Sequence, residues 1–182
     1  MLSHGTAVGK GGMSRIVGLI DRLSGLVGHL GAWLVVPLFV VMTWEVTARY
    51  FFDAPTFWAY EFAYMLTGSH FVLGIALVLR ERQHIRIDFL YARLSPRLKD
   101  AIDAAVYVGF LVPAVWWIAW RLGEVAWAAF VVSEISGSSV WNPVIWPLRS
   151  VIAFGFALFG LQLLAETWKT LRRLLAADAM PA

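Results

Sequence analysis

The sequence predicts an all-α integral membrane protein: four transmembrane helices plus interfacial amphipathic helices, with both termini on the inner side. Four apolar stretches, residues 30–50, 57–79, 101–120 and 144–164, each reach the ~20 residues that a helix needs to cross a bilayer. The basic residues then sort to one side of the weave. Lys10, Arg15, Arg22, Arg80, Arg82, Arg86, Arg93, Arg97, Lys99, Lys169, Arg172 and Arg173 fall on one side, and Arg49, Arg121 and Arg149 on the other. The positive-inside bias places both termini and the central loop in the cytoplasm. With 60% hydrophobic residues and a mean hydropathy of +0.70 in 182 residues, there is room for spans, connections and short tails but not for a separate soluble domain. The expected organisation is a tail over 1–13, one membrane domain over 14–174 and a second tail over 175–182.

Residues 1–13 are Gly-rich and polar and are expected to be disordered. Residues 14–27 set Ile16, Leu19, Ile20, Leu23 and Leu26 at helical spacing opposite Arg15, Asp21 and Arg22, the pattern of an amphipathic helix lying in the inner interface. The first span is too long for a signal-peptide core and ends in charged and aromatic residues, so it is expected to be retained. Pro55 cannot continue a helix and biases Ala54 toward extended geometry, which predicts a tight outer turn at Asp53, Ala54 and Pro55 and an antiparallel hairpin of the first two spans.

The inner loop over 80–100 alternates charge with apolar residues and should hug the membrane surface. Ser95 and Pro96 form a helix start, the hydroxyl capping free amides and the proline taking the first helical position. Residues 122–135 keep helical spacing but include Glu124 and Glu134, so the segment should extend the third helix or lie along the outer interface. Ser136, Gly137, Ser138 and Ser139 break it. Trp141, Asn142, Pro143, Trp146 and Pro147 then open the fourth helix with aromatic rings at headgroup level.

The net charge of +3 is carried by juxtamembrane residues, where it fixes orientation and meets anionic lipid; nucleic acid is not an expected partner. The absence of cysteine excludes disulfides, thiolate metal sites and thiol chemistry. No internal repeat and no inverted pair of broken spans is visible, and no GxSxG, HExxH or phosphate-loop motif occurs.

The polar residues within spans are the candidate functional groups, because charge in hydrocarbon is costly. Glu45 and Arg49 stand i to i+4 in the favourable order for a helical ion pair, and Glu61 lies one turn inside the second span across the hairpin. The three read as a structural hairpin clamp or subunit contact, with direct ligand or ion handling as the alternative. His70 is deeper, ~20 Å below Thr56. With His29 it raises a haem held by two imidazoles, but their depths disagree, and His70 reads better as an interhelical hydrogen bonder. His84, flanked by Arg82, Arg86 and Asp88, has no ligand cluster around it and belongs to a surface-anchored strip. Gly25, Gly28 and Gly31 lie three apart on one helical face, which either admits another helix closely or confers interfacial flexibility.

The hairpin ARYFFDAPTFWAYEFA over 48–63, then Gly74 and Arg80, then HIRIDFLYARLSPR over 84–97 and LQLLAE over 161–166 occur in this order across four spans. In that arrangement the chain resembles the small membrane subunit (Q-type, DctQ-like) of tripartite ATP-independent periplasmic (TRAP) transporters, over residues 16–174. The resemblance implies a multi-pass protein of the bacterial cell inner membrane that is not an enzyme and carries no cofactor or metal. Its implied partners are a large M-type membrane subunit that holds the sodium and substrate sites and moves like an elevator, a periplasmic substrate-binding protein, and membrane lipids. The small subunit is implied to support the scaffold of the large one and to help dock the binding protein during organic acid uptake. The family motif carries onto Arg49, Tyr50, Pro55, Trp58 and Glu61 in the hairpin and onto Arg80, His84, Asp88 and Leu90 in the inner strip. The long segment after the third span looks like a subgroup linked to monocarboxylates and 2-oxo acids.

Two readings of other classes compete. A free-standing small proton-coupled exporter also has four spans and a membrane glutamate, but there the acid lies mid-membrane, whereas Glu45 is within two turns of the outer end beside Arg49. A haem-binding anchor of a redox enzyme is opposed by the histidine depths.

Overall fold

Six helices make up the computed structural model of the chain, which describes residues 8–81 and 95–178. They are α1 (Val8–Trp33), α2 (Val35–Phe51), α3 (Ala59–Arg80), α4 (Pro96–Val106), α5 (Val112–Val131) and α6 (Trp146–Asp178), with one π-helical stretch, Tyr107–Leu111, between α4 and α5. Four of the resulting rods are long and apolar enough to span a bilayer: Gly12–Phe51, Ala59–Arg80, Leu98–Val131 and Trp146–Leu175. Each contains or overlaps one of the four stretches expected from the sequence. α6 is the hub, touching α1, α3, α4 and α5, while α2 leans on α3. The apolar core is Ala76, Leu79, Val115, Leu158, Phe159 and Leu163, contributed by α3, α5 and α6.

The local punctuation follows from proline. Pro37 has no N–H to give the carbonyl of Trp33, so α1 and α2 part at Leu34, whose own amide bonds the Gly31 carbonyl at 3.1 Å instead. Pro113 likewise leaves Gly109 without its usual partner, and the chain widens into the π turn just before it. Ser95 caps α4 by accepting from the Leu98 amide at 3.4 Å, with Pro96 as the first helical residue. At the outer turn, Asp53 takes a left-handed φ of 49° and the Ala54 amide reaches back to the Ala48 carbonyl at 3.0 Å. The segment after the third span continues as helix through Val131, so it extends the third helix, one of the two arrangements the sequence left open.

Two features depart from the sequence-based expectations. α1 begins at Val8, inside the stretch expected to be a disordered tail. Residues 14–27 are not a separate surface helix: they are part of α1, which runs antiparallel to α3 and on past its end along α6. The register is set by Gly25 against Arg80, Gly28 against Leu77 and Gly31 against Leu73; a Cβ on Gly28 would stand 2.5 Å from that of Leu77. The glycine stripe is therefore a close helix contact within the chain. The expected amphipathic helix is dressed inside out. Ile16, Leu19, Leu23 and Leu26 face outward, while Ser24, Gly25, Gly28 and Gly31 are buried. Without a hydrophobic drive between helices in lipid, small and polar faces pair and apolar ones are left outside.

Candidate functional site

At the end of the bundle where α2 turns back into α3, α2 presents a narrow seam, Val41, Glu45 and Ala48, to α3. Glu45 is 8% exposed. One carboxylate oxygen takes the Arg49 guanidinium; the other takes both the Thr56 amide, at 2.9 Å, and the Thr56 hydroxyl. The amide of Thr56 is free for this because the turn at Pro55 has ended the helical ladder. The hairpin is thus tied across the turn by Glu45. Sequence reasoning paired Glu45 with Arg49 but missed Thr56, whose position just after a helix-breaking proline was the available signal.

Glu61 does not join this clamp. It occupies the first turn of α3, is 3% exposed, and neither of its oxygens has a hydrogen-bond partner among the described residues. It lines a cavity of ≈ 330 Å³ together with Tyr60, Tyr64, Ser136, Ser138 and Arg149. Arg149 is held by a two-pronged ion pair to Glu134, at 2.6 and 2.7 Å. That pair closes a short loop staple: Ile135 bridges Val144, the Ile145 amide bonds the Glu134 carbonyl at 2.9 Å, and the Asn142 side chain accepts from the Gly137 amide at 2.6 Å. Gly137 has φ +67°, a conformation that favours glycine.

Of the other hairpin residues, Tyr50 and Pro55 are exposed. Trp58 packs edge-on to Phe62, and Phe62 in turn to Trp141, with ring centroids 6.3 and 6.4 Å apart, which joins the hairpin to the outer loop.

Deeper in the bundle, His70 Nδ1 lies 2.9 Å from the Gly31 carbonyl, the interhelical bond expected of it. His29 Nδ1 is engaged one turn back along its own helix by the Gly25 carbonyl, at 2.6 Å. The two histidines do not meet. Gly74 has open space around it and lines an apolar cleft of ≈ 700 Å³ with Gly28 and His70. His84, Asp88 and Leu90 lie outside the described residues, as does most of the inner strip.

At the opposite end of the bundle the described residues form a polar assembly that was not foreseen. Lys169 on α6 donates to Asp21 on α1 at 2.7 Å and to Glu166 at 2.6 Å. Gln162 donates to the same Asp21 oxygen at 2.8 Å. Further along, Arg173 reaches Asp100 of α4 at 3.3 Å and the Thr170 hydroxyl at 2.8 Å. Gln162, Glu166, Lys169 and Arg173 recur every three or four residues on one face of α6, and that stripe on an otherwise apolar helix was the readable sign.

Comparison with known proteins bears on this arrangement. The family described as "Tripartite ATP-independent periplasmic transporters, DctQ component" matches residues 38–173. The chain is 25% identical over 124 residues to the sialic acid TRAP transporter permease protein SiaT of Haemophilus influenzae (strain 86-028NP), covering 68% of this chain and 20% of that permease. It is 24% identical over 79 residues to the sialic acid TRAP transporter small permease protein SiaQ of Vibrio cholerae serotype O1 (strain ATCC 39315 / El Tor Inaba N16961), covering 43% of this chain and 46% of that protein. In both cases the chain spans less than half the length of the curated relative. The family match covers most of the chain and reaches all four rods, the first only from Leu38: this protein belongs to the DctQ component family of tripartite ATP-independent periplasmic transporters and is a membrane subunit of a transporter, not an enzyme.

Proposed function

We propose that the chain is the small, static subunit of a sodium-coupled transporter for organic acids, buttressing a large elevator-type membrane subunit and helping to dock a periplasmic binding protein. The observation that carries this reading is how the polar side chains of the spans are used. Glu45, His70, Gln162 and Lys169 are bonded to neighbouring helices or turns, which locks helices together instead of leaving a set of convergent groups free along a path. A rigid brace is what such wiring makes. The outward faces of α1, α2 and α5 are at the same time strongly apolar, a surface suited to lipid and to a membrane partner. The match to one fifth of a longer permease supports a partner of that kind, because there the small-subunit segment is part of a larger chain. Both relatives are named for sialic acid, which supports an organic acid as the substrate class.

The decisive experiment is reconstitution with and without the large subunit, in the presence of binding protein, a sodium gradient and an organic acid. Uptake is expected only with both membrane subunits; sodium-driven uptake by this chain alone overturns the scaffold reading. Orientation is tested by single cysteines, which the chain lacks, at Asp53, Ser138 and Arg86. Asp53 and Ser138 are expected to react with an impermeant thiol reagent from the periplasm of the inner membrane, and Arg86 only after permeabilisation. A Soret band in the purified protein would favour the haem alternative and overturn the scaffold reading.

A further inference from the structure

The buried carboxyl groups of the bundle are not equally provided for. At the inner end Asp21 and Glu166 share Lys169, with Gln162 also donating to Asp21. At the outer end Glu61 has nothing. It stands in the first turn of α3. The one guanidinium lining its cavity, Arg149, is engaged by both oxygens of Glu134 and makes no hydrogen bond to Glu61. The described residues therefore leave one buried carboxylate without a hydrogen-bond partner, an arrangement that costs free energy until a donor or cation arrives.

The surroundings say what kind of group. Among the described residues no cluster of three or more His, Cys, Asp or Glu could hold a metal ion. The ≈ 330 Å³ cavity is far larger than a bare ion, and its rim carries Tyr60 and Tyr64, 76% and 66% exposed, whose ring faces attract an organic cation. The lining runs from the helix ends to Met65 and Ile152, ~9 Å into the spans, a depth that a long basic side chain of a neighbour seated against this end of the bundle can reach.

The geometry points to a docking socket for one lysine or arginine side chain of the large membrane subunit, with Glu61 as its counter-charge and Tyr60 and Tyr64 as its walls. This rests on the scaffold reading above. The socket makes a prediction of opposite signs. Glu61→Gln removes an uncompensated charge from the isolated chain and removes the partner's counter-charge from the complex. In detergent, the isolated Glu61→Gln chain is expected to melt no lower than wild type, while retention of the co-expressed large subunit at high salt falls about tenfold; Glu61→Lys should lose it altogether. In a second arm, Tyr64 is replaced by the photo-crosslinker p-benzoylphenylalanine in native membranes. The expected product is a crosslink to a segment of the large subunit containing Lys or Arg. Capture of lipid alone, or of the binding protein, overturns the assignment. So does a Glu61→Gln chain that melts well below wild type in isolation, which makes Glu61 an internal structural group. A wild-type chain that never retains the large subunit sinks the scaffold reading and the socket together. A wild type and a Glu61→Gln variant that retain it equally sink the socket alone.

Discussion

The hairpin between α2 and α3 and the polar stripe of α6 solve the same problem, a carboxylate within a bundle of apolar helices, by different routes. Glu45 is satisfied by groups four and eleven residues away, across one turn. Asp21 is satisfied by Gln162 and Lys169, 141 and 148 residues away, across the whole chain. The first kind of bond shapes a turn; the second fixes the packing of the first helix against the last. Losing one should disturb a loop, losing the other the tertiary fold.

The sharpest way to break this contrast is Lys169→Met. The substitution leaves Asp21 and Glu166 facing each other without their cation, and we expect a loss of about 3 kcal/mol, the low end for breaking a buried pair because Lys169 keeps 28% of its side chain exposed. Thermal unfolding in detergent reads it, and adding Asp21→Asn should restore part of the loss. A change below about 1 kcal/mol, the scale of a surface pair, would erase the distinction.

Gly155→Ala tests the packing that the stripe supports. A Cβ there would stand 2.9 Å from the Val72 carbonyl oxygen, so α6 must move off α3 at a cost of about 1–3 kcal/mol. An unchanged melting temperature would mean that the α3–α6 contact is loose.

Glu45→Ala belongs to the local side of the comparison. The isolated chain should keep its helicity, while the yield of the assembled transporter falls moderately and sodium affinity does not change. Normal assembly with altered sodium dependence would move the hairpin charges into the transport cycle. The smallest effect is expected from His70→Phe, which removes one interhelical bond worth about 0.6 kcal/mol on average in membranes.

The same contrast explains what the sequence made legible. The four spans, the stop at Pro55, the cap at Ser95 and the Glu45–Arg49 pair are written in neighbouring residues, and each appears in the structure. Glu61 lies just across the hairpin, but it makes no bond to that pair, and its side chain lines the cavity with Arg149. The continuity of residues 14–27 with the first span was not legible either. Periodicity shows that a helix has two faces but not which one is covered, and here the glycine and serine face is covered while the leucine face is not. The inner stripe was unreadable as a network because its partners lie on helices whose proximity only the fold creates.

The inside-out dressing gives the protein an optical readout. Trp33, Trp44, Trp117, Trp120 and Trp127, five of the 10 indoles, all stand more than half exposed on the outer faces of the helices, at differing positions along them. Indole emission in lipid carrying bromine at chosen acyl positions should therefore be quenched in a graded fashion that reports the depth of each ring. Any neighbouring protein that seats against a face should remove its indoles from the quencher, so the fluorescence of this chain maps which flank is covered without any added label.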